Sequence, residues 1–139
     1  MLKRIMKNQK GFTLVELLAV IVILGIIAAI AIPSIGHIIS KTNDKATVSE
    51  AVQIIDAAKM YVASEGITSD ATITKTELDP YVDNIKATTT YSVSVVFDDN
   101  GHPSYTITGH PATTIAQSGQ ESDLLKYLGK SSADAGDDK

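Results

Sequence analysis

A single carboxylate at the head of a membrane-length apolar run constrains this chain more than any other feature. No charged residue occurs from Leu17 to Ile32, and Glu16 stands immediately before that stretch. An ionised group at bilayer depth costs about 2.5–3.5 kcal/mol on insertion scales. A chain that keeps such a group has a use for it, so the question is what Glu16 pairs with. A helix from Phe12 to Ile32 would rise roughly 30 Å, the thickness of a hydrocarbon core. Much of the run is β-branched: Val20, Ile21, Val22, Ile23, Ile26, Ile27, Ile30 and Ile32. In water that composition would suit a buried strand. The run is too long for one, and in lipid the backbone must satisfy its own hydrogen bonds, which makes it a helix. Pro33 removes one backbone donor and crowds the preceding turn, so a kink is expected there.

Three readings of this N-terminus compete. A secretory signal is the first, because Ala29-Ile30-Ala31 has a small-x-small pattern behind a basic leader. Glu16 interrupts the start of its apolar region, and the segment that follows continues as helix. A plain membrane anchor is the second; it explains the length but neither Glu16 nor the Gly11-Phe12 junction. The third comes from a resemblance. Lys10-Gly11-Phe12-Thr13-Leu14-Val15-Glu16-Leu17 resembles the class III signal of type IV pilins and the related pseudopilins. It explains length, charge and junction together, and it is specific from Lys10 to Pro33. It weakens along the helix to about Glu65 and is weak beyond, as expected for a family with variable distal domains.

The resemblance implies a set of roles. A prepilin peptidase cuts between Gly11 and Phe12 and methylates the new Phe12 amine. Glu16 stays in the membrane helix of the mature subunit as the assembly carboxylate. Pro33 falls where many pilins bend. Gly25 costs about 1 kcal/mol relative to Ala in a helix. It is either a small residue tolerated at a close helix contact or a place where the helix loosens when subunits pack; propensity leaves both open.

Charge supports this orientation. Lys3, Arg4, Lys7 and Lys10 lie in the leader, and its removal takes the formal charge from −4 to −8. A basic leader is held in the cytoplasm by the positive-inside rule. The acidic mature chain lacks the basic stripe of a dedicated nucleic-acid binder, which argues against direct DNA binding. There is no Cys, so no disulfide staples the distal region. Many pilins of Gram-negative bacteria carry one there, and its absence leans towards a Gram-positive or other disulfide-poor source.

The helix is expected to continue past Pro33 to Glu65 and to end at Gly66 in a left-handed cap. Val48, Val52, Ile55 and Val62, with Ala51 and Ala58, recur at helical spacing. This amphipathic stripe is core and needs a sheet from the C-terminal half to cover it. A helix from Phe12 to Glu65 would be about 80 Å long, more than a domain this small can cover. The rest must be buried in lipid first and in other subunits later. The expected organisation is a leader at 1–11, a transmembrane and filament-core helix at 12–36 and an amphipathic half at 37–66. A small β-rich domain at 67–128 and a mobile acidic tail at 129–139 follow. The fold class is α+β, a long N-terminal helix packed on a small antiparallel sheet.

Within the distal domain, the Thr-rich stretch from Ile67 to Thr76 reads as a loop. Thr74 with Glu77 predicts a capping box and a short helix through Leu78, Tyr81 and Val82, with Pro80 in its first turn. Tyr91-Ser92-Val93-Ser94-Val95-Val96-Phe97 alternates large apolar with small polar residues and reads as a strand. Asp98-Asp99-Asn100-Gly101 then predicts a hairpin, with a return strand at Pro103 to Thr108. A third strand is expected around Ala112 to Ala116, and a short terminal helix around Leu124, Leu125 and Leu128.

Nothing in the sequence points to catalysis. Asp98, Asp99 and Asn100 could be calcium ligands, as in a loop of type II secretion pseudopilins. Their spacing lacks the alternating ligands and distant bidentate acid of a calcium loop, and hairpin chemistry is favoured. His37, His102 and His110 show no zinc spacing. No nucleophile elbow or phosphate-binding loop is present. The expectation is therefore no enzyme, no cofactor and no metal. The resemblance implies a structural subunit, a major pilin, that self-assembles into a helical filament. Its implied partners are the prepilin peptidase, an assembly platform protein and an ATPase, with the membrane as its first environment. It implies a cytoplasmic-membrane precursor that becomes a surface fibre. A pseudopilin of a type II secretion or competence system is the alternative, as is a minor tip pilin acting as a binding module. Retention of Glu16 favours a main-shaft subunit over the tip-capping minor pseudopilins that lack this acid.

Overall fold

The computed structural model describes residues 2–86 and 90–130, with side chains from Thr13 onward. The expected tail beyond Lys130 and the side chains of the leader and of Phe12 lie outside the described residues. The order of elements is α1 (Leu2–Glu65), β1 (Ala71–Thr74), α2 (Lys75–Leu78), a 3-10 turn (Asp79–Tyr81), β2 (Ser92–Phe97), β3 (Pro103–Thr108), α3 (Ala112–Ile115) and α4 (Glu121–Tyr127). The chain divides into two compact units, Met1–Lys41 and Thr42–Lys139.

Helix α1 is continuous through Gly25 and contains Pro33. It stops at Gly66, whose φ of 64° is the left-handed conformation that glycine adopts without a β-carbon penalty. The Val62 carbonyl accepts the Ile67 amide at 3.1 Å, and both side chains pack on the core. This is the 6→1 bond and apolar contact of a Schellman cap.

In the Thr42–Lys139 unit, α1 lays a stripe of Val48, Ala51, Ile54, Ile55, Ala58 and Val62 into the core. Val52, expected in the stripe, is only partly buried on its rim, and Ile54 takes a fully buried place. The stripe is wide because it faces a sheet rather than a single helix. Burial of each Val or Ile is worth about 1.5–3 kcal/mol.

The sheet is antiparallel, in the order β1-β2-β3. The register aligns Ile73, Val93 and Ile107 in one row, all buried against the core. The alternate rows, Thr72–Ser94–Thr106 and Thr74–Ser92–Thr108, carry hydroxyls to the other face. This is the period-2 pattern of a sheet with one covered face.

Two expectations are corrected here. The Thr-rich stretch read as a loop contains strand β1. Only Ile73 is large and apolar there, so its four residues carry little alternation signal; pairing with β2 supplies the strand. Asp70 fixes that pairing from its margin by accepting the Phe97 amide at 2.8 Å. The third strand expected at Ala112 to Ala116 is instead helix α3. Pro111, at φ −56° and ψ −28°, begins the turn, and the His110 ring Nδ1 accepts the Ala112 amide at 3.2 Å.

The turn predictions hold in more detail. Glu77 accepts from the Thr74 amide and the Thr74 hydroxyl, each at 2.7 Å, in a capping box at the start of α2. The β2–β3 hairpin closes with the Asp98 carbonyl accepting the Gly101 amide at 2.9 Å and Gly101 at φ 81°. Asn100 stays at negative φ among the described residues, so this is a three-residue loop ending in a left-handed glycine rather than a two-residue mirror-image turn.

Candidate functional site

The sequence expects function at the N-terminal end of α1, and the site is built from helix geometry. Phe12 and Glu16 are four residues apart on one face, so their α-carbons stand about one turn apart along the axis, roughly 6 Å. Glu16 is exposed and has no ion-pair partner among the described residues. Along the helix the large apolar side chains point outward, from Leu14 at 69% exposed to Ile39 at 55%. α1 is long and apolar enough to cross a membrane, and none of its apolar window is buried among the described residues. Gly25 has no other group within 4 Å of where a β-carbon would sit. Its small size therefore serves no close contact among the described residues.

A helix apolar on all faces needs a continuous apolar surrounding, and lipid or sister helices supply it. One carboxylate stands at its head, with no ion pair among the described residues. The backbone at Gly11 and Phe12 is helical.

The comparisons agree with this geometry. Residues 6–32 match the prokaryotic N-terminal methylation motif. Over 131 residues the chain is 34% identical to a fimbrial protein of Pseudomonas aeruginosa, covering 94% of this chain and 75% of the relative. The chain belongs to the type IV fimbrial protein family. Within the family, it is also 38% identical to the type IV major fimbrial protein FimA of Dichelobacter nodosus over 82 residues, which is 52% of this chain and 48% of that one. The type II secretion system core protein G of Klebsiella pneumoniae is similar as well. That match is 39% identical over 56 residues, 40% of each chain. No solved structure matches the chain. The long helix and small antiparallel sheet are those of a pilin fold. The apolar helix and the methylation motif are those of a membrane-anchored precursor that becomes an extracellular fibre.

Of the calcium candidates, the Asp98 carboxylate serves the turn itself. Asp98 Oδ1 accepts the Asn100 amide at 2.9 Å and the His102 amide at 2.7 Å. The His102 amide, and after it the Asn100 amide, holds the Asp98 carboxyl below its ordinary range against an opposing effect of burial. Among the described residues no three His, Cys, Asp or Glu side chains converge as metal ligands.

Two polar clusters in the distal unit had no signal in the sequence. Lys59 of α1 pairs with Glu121 of α4 and, at 3.5 Å, with Asp56. Burial pushes the Lys59 ammonium down, but hydrogen bonding and charge from Glu121 outweigh it and leave it raised. His110 is buried beside Glu50, with 3.7 Å between Nε2 and Oε2. Both pairs join residues about sixty positions apart, and no local spacing announces them.

Proposed function

We propose that this chain is the major structural subunit of a type IV pilus, polymerised through its N-terminal helix. Prepilin peptidase would release the leader between Gly11 and Phe12 and methylate the Phe12 amine. That amine is positive at neutral pH. In a growing filament, the Phe12 amine of the incoming subunit pairs with Glu16 of a subunit already in place. Two charges that are expensive alone in an apolar surrounding become a neutral pair, and the pairing sets axial register. Pro33 and Gly25 lie in the same helix and adapt it to its neighbours. An assembly platform protein and a cytoplasmic ATPase drive the step.

The observation that carries this reading is the uncovered apolar surface of α1 headed by one exposed acid. Its chemistry calls for sister helices, and nothing in it calls for a substrate. Similarity to a type II secretion core protein G favours a second reading, the pseudopilin of a short secretion fibre. Long surface fibres, or their absence, separate the two.

The test is the intact mass and N-terminal sequence of the protein from sheared cell-surface material. A chain beginning at Phe12 with an added methyl group is expected. A chain beginning at Ile32 would mean ordinary secretion and end the filament reading. An uncut chain confined to the membrane would leave a simple anchor.

A further inference from the structure

His110 is the buried polar side chain whose chemistry the fold leaves incomplete. It is 1% exposed. Its Nδ1 accepts the Ala112 amide at 3.2 Å, so the ring proton of the neutral form is assigned to Nε2. Nε2 has no hydrogen-bond partner among the described residues and faces Glu50 Oε2 at 3.7 Å. The other oxygen of Glu50 accepts the Lys86 amide. The His110 carbonyl accepts from the Thr113 amide at 3.0 Å and from its hydroxyl at 2.8 Å. Three separate stretches thus meet at these two side chains: α1, Lys86 in the connection that precedes β2, and the segment from β3 into α3.

We propose that His110 and Glu50 form an acid-opened latch, which holds residues 83–86 and 109–113 against α1 at neutral pH and releases them on acidification. The groups facing His110 are few. Glu50, from α1, is the one acid within ion-pair range among the described residues. Tyr91, just before β2, sets its ring edge-on at 6.1 Å between centroids. Lys75 of α2 lies beyond, with its ammonium 5.9 Å from the centre of the Tyr91 ring. Lys86 meets Glu50 through its backbone.

The sign follows from burial. Burial holds the His110 imidazole below its ordinary value of 6.5, and the Glu50 charge opposes this without cancelling it. An opened segment puts the ring in water, where it protonates at about 6.5. The latch is at full strength above that pH and weakens as pH falls below it towards the lower value of the closed state. One proton taken up on opening raises the opening equilibrium up to about tenfold per pH unit across that window. A proton taken up without opening would sit in a site that already disfavours it.

The experiment is hydrogen exchange read by mass spectrometry on the full mature chain in detergent micelles, at pH 7.5 and pH 5.5, corrected for the intrinsic rate. Peptides covering Lys86 and residues 109–113 are expected to lose several-fold protection at the lower pH, while the Val93–Val95 peptide keeps its own. His110→Gln keeps a donor at the Nε2 position but does not titrate, and its protection should be flat between the two pH values. If that variant does not fold, Glu50→Gln serves in its place. It retains the acceptor for Lys86 and removes the charge that opposes the downward shift, so its acid opening should exceed that of the parent. Unchanged protection in the parent would overturn the latch. So would an equal acid response in His110→Gln, or one in Glu50→Gln no larger than the parent's.

Discussion

The carbonyl of Gly119 accepts the Ile107 amide at 2.8 Å, and a β-carbon on Gly119 would stand 1.9 Å from the Ile107 carbonyl oxygen. The segment after α3 is therefore hydrogen-bonded to the edge of the sheet at a range that leaves no room for a side chain. Close to it, Gln120 bridges to Thr106, and α4 begins at Glu121. Gly119→Ala must push that segment off β3 or bend the strand. The expected loss is roughly 1–3 kcal/mol, as for overpacking elsewhere. Thermal unfolding in detergent should show a drop of several degrees, and an unshifted midpoint would mean that the segment moves freely.

Glu16→Ala should leave membrane insertion intact, because it removes a charge from an apolar run. It should block efficient filament assembly, since it strands the incoming Phe12 amine. Truncating one member of a buried ion pair typically costs about 3–5 kcal/mol, enough to take filament yield down by two orders of magnitude or more. Sheared surface material compared with the membrane pool measures this, and a normal filament yield would refute the role given to Glu16.

A bulky residue at Gly11, such as Gly11→Val, should leave the precursor uncut, with the full leader visible by intact mass. The uncut chain should not assemble, because Lys3, Arg4, Lys7 and Lys10 would have to enter an apolar filament core. Filaments built from uncut chains would contradict both statements.

Acid should loosen the start of α2 through Glu77. The Thr74 amide, then its hydroxyl, holds the Glu77 carboxyl below its ordinary value of 4.5. The stabilisation is complete above that value and is lost as pH falls through the lower folded one. Glu77→Gln keeps an acceptor without the titration, so its unfolding midpoint should fall less steeply between pH 5 and pH 3. Circular dichroism melts across that range read the difference; parallel profiles for the two proteins would count against it.

The elements legible in the sequence were those with long or local signals. Sixteen uncharged apolar residues behind Glu16 define a membrane-length helix whatever follows. The Gly66 cap, the Thr74–Glu77 box and the Asp98–Gly101 hairpin are each written within five residues. Strand β1 was not legible, because Ile73 is its one buried residue and its partner lies some twenty residues on. At Ala112 the β-like composition misled. Pro111 and the His110 ring, acting on the Ala112 amide, select a helical turn there.

The same divide applies to the site. Spacing alone places Phe12 and Glu16 on one helical face. The sequence by itself therefore determined the membrane-length helix, the acid at its head, and the local caps and turns. Only the tertiary structure decided that Ile54 rather than Val52 fills the core, that Gly119 closes on Ile107, and that His110 comes to rest against Glu50. The reason is physical. Periodicity, caps and turns depend on neighbours along the chain, whereas contacts across some sixty residues exist only once a shared core has brought their backbones together.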